Sequence, residues 1–236
     1  MKILSVECSA SPASCAIVDD GKIKASSYVN AKLTHSQTLM QMIINTLDNS
    51  ATRLCDIDRI AVAVGPGSFT GLRIGISAVK GLAAPTNIPC VPVSTLDGMT
   101  EQFVDCDCVV CAVMDARCNQ FYNALFEIKK GVITRLCEDR ALMADELKTE
   151  ILNISSDTKI IVCGDGADLF YKNVSDIKNV TLAPEHLKFQ SAIGIGLYAY
   201  KNLDTTKTVS PENLLPIYLR LPQAERELKA KTEAKK

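Results

Sequence analysis

The sequence has no excess charge of either sign: 26 Lys and Arg stand against 27 Asp and Glu, a net of −1 over 236 residues. It therefore lacks the basic footprint with which a protein grips nucleic acid unaided, and any work on RNA would borrow a partner's charge. No apolar run nears the roughly 18 residues of a membrane span, and Met1 to Val6 is too short for a secretory core, so a soluble, cytoplasmic protein is expected. Histidine is scarce, with His35 and His186 alone. The ten cysteines do not fall into the two separated pairs of a structural zinc site, even where Cys106, Cys108 and Cys111 crowd together, and they read as reduced, buried small residues. What is present is ordinary globular composition, 47% hydrophobic and 22% charged, in a chain long enough to bury about 70–75% of its unfolded surface.

Short apolar runs alternate with turn signals over the first thirty residues: Lys2 to Val6, Ser11 and Pro12, Cys15 to Val18, then Asp19, Asp20 and Gly21. This pattern predicts a β-meander. Thr34 with Gln37 reads as a capping box opening an amphipathic helix, on which Leu39, Met40, Ile43, Ile44 and Leu47 recur at helical spacing. A strand over Arg59 to Val64 runs into the glycine-rich loop Gly65 to Gly71, and Leu72 to Ala84 forms a second helix halted by Pro85. Another strand and helix occupy Val91 to Phe103. Strands are expected again at Cys108 to Met114, Gln120 to Ile128 and Ile160 to Cys163, and a helix at Ser191 to Tyr200. Two halves of similar make-up argue for two α/β lobes, 1–103 and 104–222, followed by a charged tail at 223–236.

The loop Gly65-Pro66-Gly67-Ser68-Phe69-Thr70-Gly71 carries the most information. Gly67 and Gly71 permit positive φ, Ser68 and Thr70 can cap free amides, and the helix start offers partial positive charge to an anion. The glycine spacing misses both the dinucleotide fingerprint and the P-loop, so a tight strand-to-helix turn that lets two helices pack closely over small residues is the reading of the residues themselves. No G-x-S-x-G elbow is present, and two sequence-distant histidines give no base for a Ser or Cys nucleophile.

GPGSFTGLRIG, together with the opening ILSVECSASPASCAIVDDG, the run THSQTLM, the later MDARCNQFY and the ending PIYLR, resembles the bacterial TsaB proteins from Lys2 to about Arg220. The resemblance implies a two-lobed actin-like, Hsp70-like ATPase fold that is catalytically degenerate. It implies a dimerisation subunit that partners TsaD, the enzyme attaching threonylcarbamoyl to N6 of adenosine 37 in tRNAs reading codons that begin with A. TsaE would be the third component, ATP would be used by the complex, and the chain alone would form a homodimer.

In that family the two first-lobe helices make the contact. The candidate contact residues are therefore His35, Leu39, Met42 and Ile43 on the first helix and Phe69, Thr70, Arg73, Ile74, Ser77 and Ala78 on the second. Catalytic relatives bind metal through histidines at i and i+4, whereas His35 is followed by Leu39, so no metal is expected. Glu7 fits the carboxylate that the superfamily places at the end of its first strand, and Ser9 and Ser11 could offer hydroxyls. The second lobe has Met114-Asp115-Ala116-Arg117 in place of a glycine-rich Asp hairpin, with Asp115 and Arg117 expected as an ion pair. Gly164-Asp165-Gly166 resembles the glycine turn that faces adenosine. Glu7, Ser9, Gly164 and Gly166 are thus candidates for nucleotide contact, with no catalytic residue expected. The competing class is a stand-alone ATP-binding enzyme or glycoprotease-like hydrolase of the same fold.

Overall fold

The computed structural model describes residues 1–31, 33–205 and 207–220, and the charged tail expected at 223–236 lies outside them. β1 (Lys2–Glu7), β2 (Ala13–Asp19) and β3 (Lys22–Val29) form the antiparallel meander that the alternation predicts, with Asp20 and Gly21 turning at φ 48° and 75°. α1 (His35–Asn49) follows from Thr34, whose side chain makes no capping bond. The helix start is as expected, but the capping box is not formed: the Gln37 main-chain N–H donates to the Thr34 carbonyl at 2.9 Å instead.

β4 (Arg59–Gly65) pairs with β1 in parallel. α2 (Phe69–Ala83) begins three residues before the expected Leu72, because the Ser68 hydroxyl accepts the Gly71 N–H and starts the helix there. β5 (Cys90–Ser94) completes a sheet ordered β3-β2-β1-β4-β5, and α3 (Thr95–Thr100) leads out of it.

The second sheet repeats this plan. β6 (Cys108–Asp115) pairs antiparallel with β7 (Gln120–Lys129), which carries β8 (Val132–Arg135) and β9 (Arg140–Met143) on its far edge. After α4 (Ala144–Leu152), β10 (Ile160–Cys163) joins β6 in parallel, and α5 (Ala167–Val174) connects to β11 (Val180–Leu182). In both sheets the central strand has an antiparallel partner on one side and a parallel one on the other, with the helical crossover that parallel pairing requires.

After α6 (Glu185–Lys188) the chain returns to the first sheet. α7 (Ala192–Lys201) buries Ile195 and Ala199 against Ile3, Val18 and Val91. The last described segment is a strap across α2. Leu214 is buried in the first core, the Ile217 N–H donates to the Val64 carbonyl at 2.8 Å, Leu219 packs on the core of the second sheet, and Arg220 donates to the Ala116 carbonyl.

The ten cysteines are free thiols, and Cys8, Cys15, Cys90, Cys108, Cys111 and Cys163 are buried as expected. Cys55, Cys106 and Cys118 are exposed and Cys137 is half-buried, a correction that follows from their place in turns and loops rather than on strand interiors.

Candidate functional site

A cleft of about 760 Å³ opens where the β1–β2 turn and the starts of α1 and α2 face the β6–β7 turn and the β10–α5 turn. Its first wall is tightly built. A Cβ on Gly67 would meet Ser9 Cβ at 2.7 Å, and one on Gly71 would overlap the Cys8 carbonyl oxygen. Gly71 lies inside α2 and needs no left-handed backbone, so what it supplies is room for the β1–β2 turn to press on the helix start.

Glu7 ends β1 in full burial, with Oε1 accepting the Ser9 N–H and Oε2 unpartnered. Burial raises its carboxyl to about 7, eased by the Ser9 hydroxyl and amide and raised further by the charge of Asp165. The Ser9 hydroxyl stands near enough to favour that charge yet makes no hydrogen bond of good geometry, and is itself buried. Asp165, in the facing turn, is pushed to about 6 by burial. A 2.7 Å hydrogen bond from Gln190 Nε2 opposes that shift, and Asp115 adds to it.

The ion pair expected between Asp115 and Arg117 does not form. Asp115 instead accepts the Arg117 main-chain N–H at 2.7 Å, closing a turn in which Arg117, Cys118 and Asn119 all take left-handed φ of 65°, 56° and 56°. Gly164 and Gly166 frame Asp165 as a compact turn whose amides donate to the Lys188 and Val113 carbonyls. Because the fold class includes nucleotide binders, the phosphate fit matters here. The amides of Ser9 and Ser68 on one wall, and of Ala116 and Arg117 on the other, are already spent inside the protein. Those four amides are not free to hold a nucleoside phosphate, which needs open donors, and the carboxyls of Asp115 and Asp165 line the same cleft.

His35 opens α1 and its Nε2 stands 3.1 Å from the Ser11 carbonyl, while Leu39, one turn on, is core at 1% exposure. Among the described residues no group of three or more His, Cys, Asp or Glu side chains is placed to hold a metal ion. His186 sits in the single turn of α6.

The structure divides the ten candidate contact residues. Leu39, Met42 and Ile43 are buried in the first core, because they share the α1 face that covers β2 and β3. The exposed apolar side chains of α1 are Met40 and Ile44, at 41% and 47%. On α2, Thr70, Arg73 and Ser77 are exposed, Ile74 and Ala78 are half-buried, and His35 and Phe69 are half-buried at the cleft rim. The contacts of Tyr218 with Phe69 and Arg73, and the role of Gln190 beside Asp165, had no signal in periodicity; the PIYLR ending was the one trace of the strap.

Two sheets of one plan facing across a cleft define a protein of the actin-like ATPase fold class. The solved structure of YeaZ from Pseudomonas aeruginosa superposes with a TM-score of 0.76 at 24% identity, covering 92% of this chain and 99% of that one. Component A of (R)-2-hydroxyglutaryl-CoA dehydratase from Acidaminococcus fermentans gives 0.50 at 12% identity, over 86% and 98%. The family model for TsaD, tRNA N6-adenosine threonylcarbamoyltransferase, matches residues 29–225. The tRNA threonylcarbamoyladenosine biosynthesis protein TsaB of Bacillus subtilis (strain 168) is 28% identical over 230 residues, 95% of this chain and 96% of its own. That of Escherichia coli (strain K12) is 29% identical over 222 residues, 93% and 95%. The chain belongs to the family that this model describes, and within it to the TsaB proteins.

Proposed function

We propose that this chain is a non-catalytic subunit of the machinery that makes threonylcarbamoyladenosine at position 37 of tRNAs reading codons that begin with A. In this reading it acts in the cytoplasm and docks directly on TsaD, with TsaE as third component and ATP and tRNA handled by the complex. Alone, it pairs with a second copy of itself. Its two lobes divide near residue 104, and the docking face belongs to the first.

The observation that carries the reading is the outward side of α1 and α2 in a chain of this family. Met40 and Ile44 stand exposed on α1, and Ile74 and Ala78 are half-buried on α2, which packs against it, so both helices keep apolar side chains outside the core. Methionine adapts to imperfect partners, and small residues at Ser77, Ala78 and Gly81 let another backbone approach. Support for a non-catalytic role comes from the cleft. The Ser9 hydroxyl lies beside the Glu7 carboxyl, and among the described residues no histidine is bonded to a cleft carboxyl as a catalytic base would be, His35 Nε2 standing against the Ser11 carbonyl instead.

Mixing the purified chain with TsaD from the same source, then measuring the mass of the complex and t6A formation with and without this chain, tests the reading. A heteromeric complex and t6A synthesis that depends on the chain are expected. Full synthesis by TsaD and TsaE without it would overturn the proposal.

A further inference from the structure

The cleft has an unusual hydrogen-bond balance. Among the described residues, five buried side-chain polar atoms lack a partner, and three belong to this one locality: Glu7 Oε2, Ser9 Oγ and Gln190 Oε1. Glu7 and Gln190 are both tied to Asp165, Glu7 through its charge and Gln190 through the 2.7 Å bond from its Nε2, and Ser9, Asp115 and Asp165 line the cleft itself. Gln190 Oε1 is a pure acceptor, the Ser9 hydroxyl can accept, and Glu7 Oε2 accepts when the carboxyl is ionised. Buried acceptors left without donors are costly, and carboxylates gathered without a cation repel each other.

A ligand that relieves both costs must bring N–H or O–H donors and positive charge. A bare metal ion is disfavoured by the absence, among the described residues, of three ligating side chains close together. Anions meet the carboxyls of Asp115 and Asp165, and the wall amides of Ser9, Ser68, Ala116 and Arg117 are already bonded inside the protein.

We infer that the interlobe cleft binds a primary ammonium group at the buried Ser9 hydroxyl, with the carboxyls of Asp165 and Asp115 lining the same cleft. The ammonium offers three N–H donors in a compact point charge, for the Ser9 hydroxyl oxygen and the carboxylate oxygens that line the cleft. Its source is either a free amine or a lysine side chain presented by a protein.

The test uses the full-length protein and backbone-amide NMR. Butylammonium chloride is titrated against two controls at equal ionic strength: tetramethylammonium chloride, which has the charge without N–H donors, and sodium chloride. The expected result is a saturable shift of the Ser9 and Gly166 amides with butylammonium only, lost at least tenfold in apparent affinity in Glu7→Gln and Asp165→Asn. Circular dichroism and melting curves establish that both variants fold, and the three-salt comparison on the unmodified protein stands even if one does not.

An equal response to tetramethylammonium, or no saturable response to butylammonium, would overturn the inference. So would saturable binding of a fluorescent ATP analogue in the same cleft that butylammonium leaves undisplaced. A lysine-containing tripeptide titrated in parallel separates the two sources. Tighter binding than butylammonium assigns the ammonium to a protein side chain, and weaker binding assigns it to a free amine.

Discussion

Tyr218 lies stacked on Phe69, their ring centroids 4.2 Å apart and their planes 17° from parallel, while its hydroxyl accepts a 2.8 Å hydrogen bond from Arg73 Nε. The pair couples the strap at the end of the described chain to the first turns of α2. It also fixes Arg73, which lies both at the cleft and on the helix side read here as a docking face. The same strap reaches the second sheet through Leu219 and Arg220, so it bridges the two sheets.

Replacing Tyr218 by Ala is therefore expected to cost about 1–2 kcal/mol of stability, from the lost stacking and the lost hydrogen bond. A double-mutant cycle with Phe69→Ala isolates the stacking, which should appear as a coupling of about 0.5–1.5 kcal/mol in urea unfolding. Additive losses would show that the rings touch without stabilising each other.

The buried Glu7 gives a pH signature with a definite sign. Its folded carboxyl is raised to about 7 from an ordinary value of 4.5, so the folded state holds a proton that the unfolded state releases between those values. Stability from this group is intact below pH 4.5, falls as pH climbs toward 7, and stays lost above it, by on the order of 3 kcal/mol. Glu7→Gln cannot ionise, so the difference between variant and parent stability should grow in the variant's favour across that window and level off above it. Denaturant midpoints at pH 5 and pH 8 measure this; a constant difference would mean that Glu7 titrates normally.

Two glycines of α2 should respond oppositely to the same change. Gly71→Ala drives a methyl into the Cys8 main-chain carbonyl and is expected to cost about 1–3 kcal/mol through overpacking. At Gly81 nothing lies within 4 Å of a Cβ, so Gly81→Ala should add about 0.5–1 kcal/mol by removing backbone freedom from a helix interior. Thermal melts of the two variants, one falling and one rising, check the pair. Because the fold does not require Gly81, any loss of TsaD binding in the stabilised Gly81→Ala protein would place a partner's backbone against that spot.

These residues also show what the sequence reveals and what it conceals. The meander of β1 to β3 was legible because short apolar runs alternate with turn signals, and β6, β7 and β10 because their apolar runs are likewise short and bounded by turn signals. That the Gly65 to Gly71 loop packs tightly was legible from glycine spacing that fits no phosphate motif, but the expected partner was a second helix, and Gly67 and Gly71 instead meet Ser9 and Cys8 of the β1–β2 turn. The facing of α1 was not. Leu39, Met40, Met42, Ile43 and Ile44 put apolar side chains around most of one turn, and which of them covers β2 depends on how the helix docks, not on spacing. Thr46 is buried on the same face because its hydroxyl bonds the Met42 carbonyl and meets Ser27, a polar residue in a core position that periodicity counts as surface. The strap at 214–220 has neither period, and it is held by contacts with residues about 145 positions earlier in the chain, as between Arg73 and Tyr218.

That ambiguity makes neighbouring α1 residues the sharpest test of the proposed docking face. Ile43 is 1% exposed and Ile44 47%, so adjacent positions on one helix separate core from surface. Ile43→Asp places an unpaired carboxylate among Leu39, Ile17 and Val62 and should unfold the first lobe or cost it several kcal/mol, about 3–5 by the usual cost of an uncompensated buried charge. Ile44→Asp leaves that core untouched and should shift the melting curve by no more than about 0.5 kcal/mol. If Met40, Ile44, Ile74 and Ala78 form the centre of an interface, the same Ile44→Asp protein should lose on the order of 2–4 kcal/mol of association, a 30-fold to 1000-fold weakening. Sizing chromatography of each variant alone and mixed with TsaD, followed by t6A formation, reads both effects together. A folded Ile44→Asp protein that still pairs and still supports t6A synthesis would remove this face from the proposal, and a folded monomer that no longer supports synthesis would assign the work of the chain to that strip of α1 and α2.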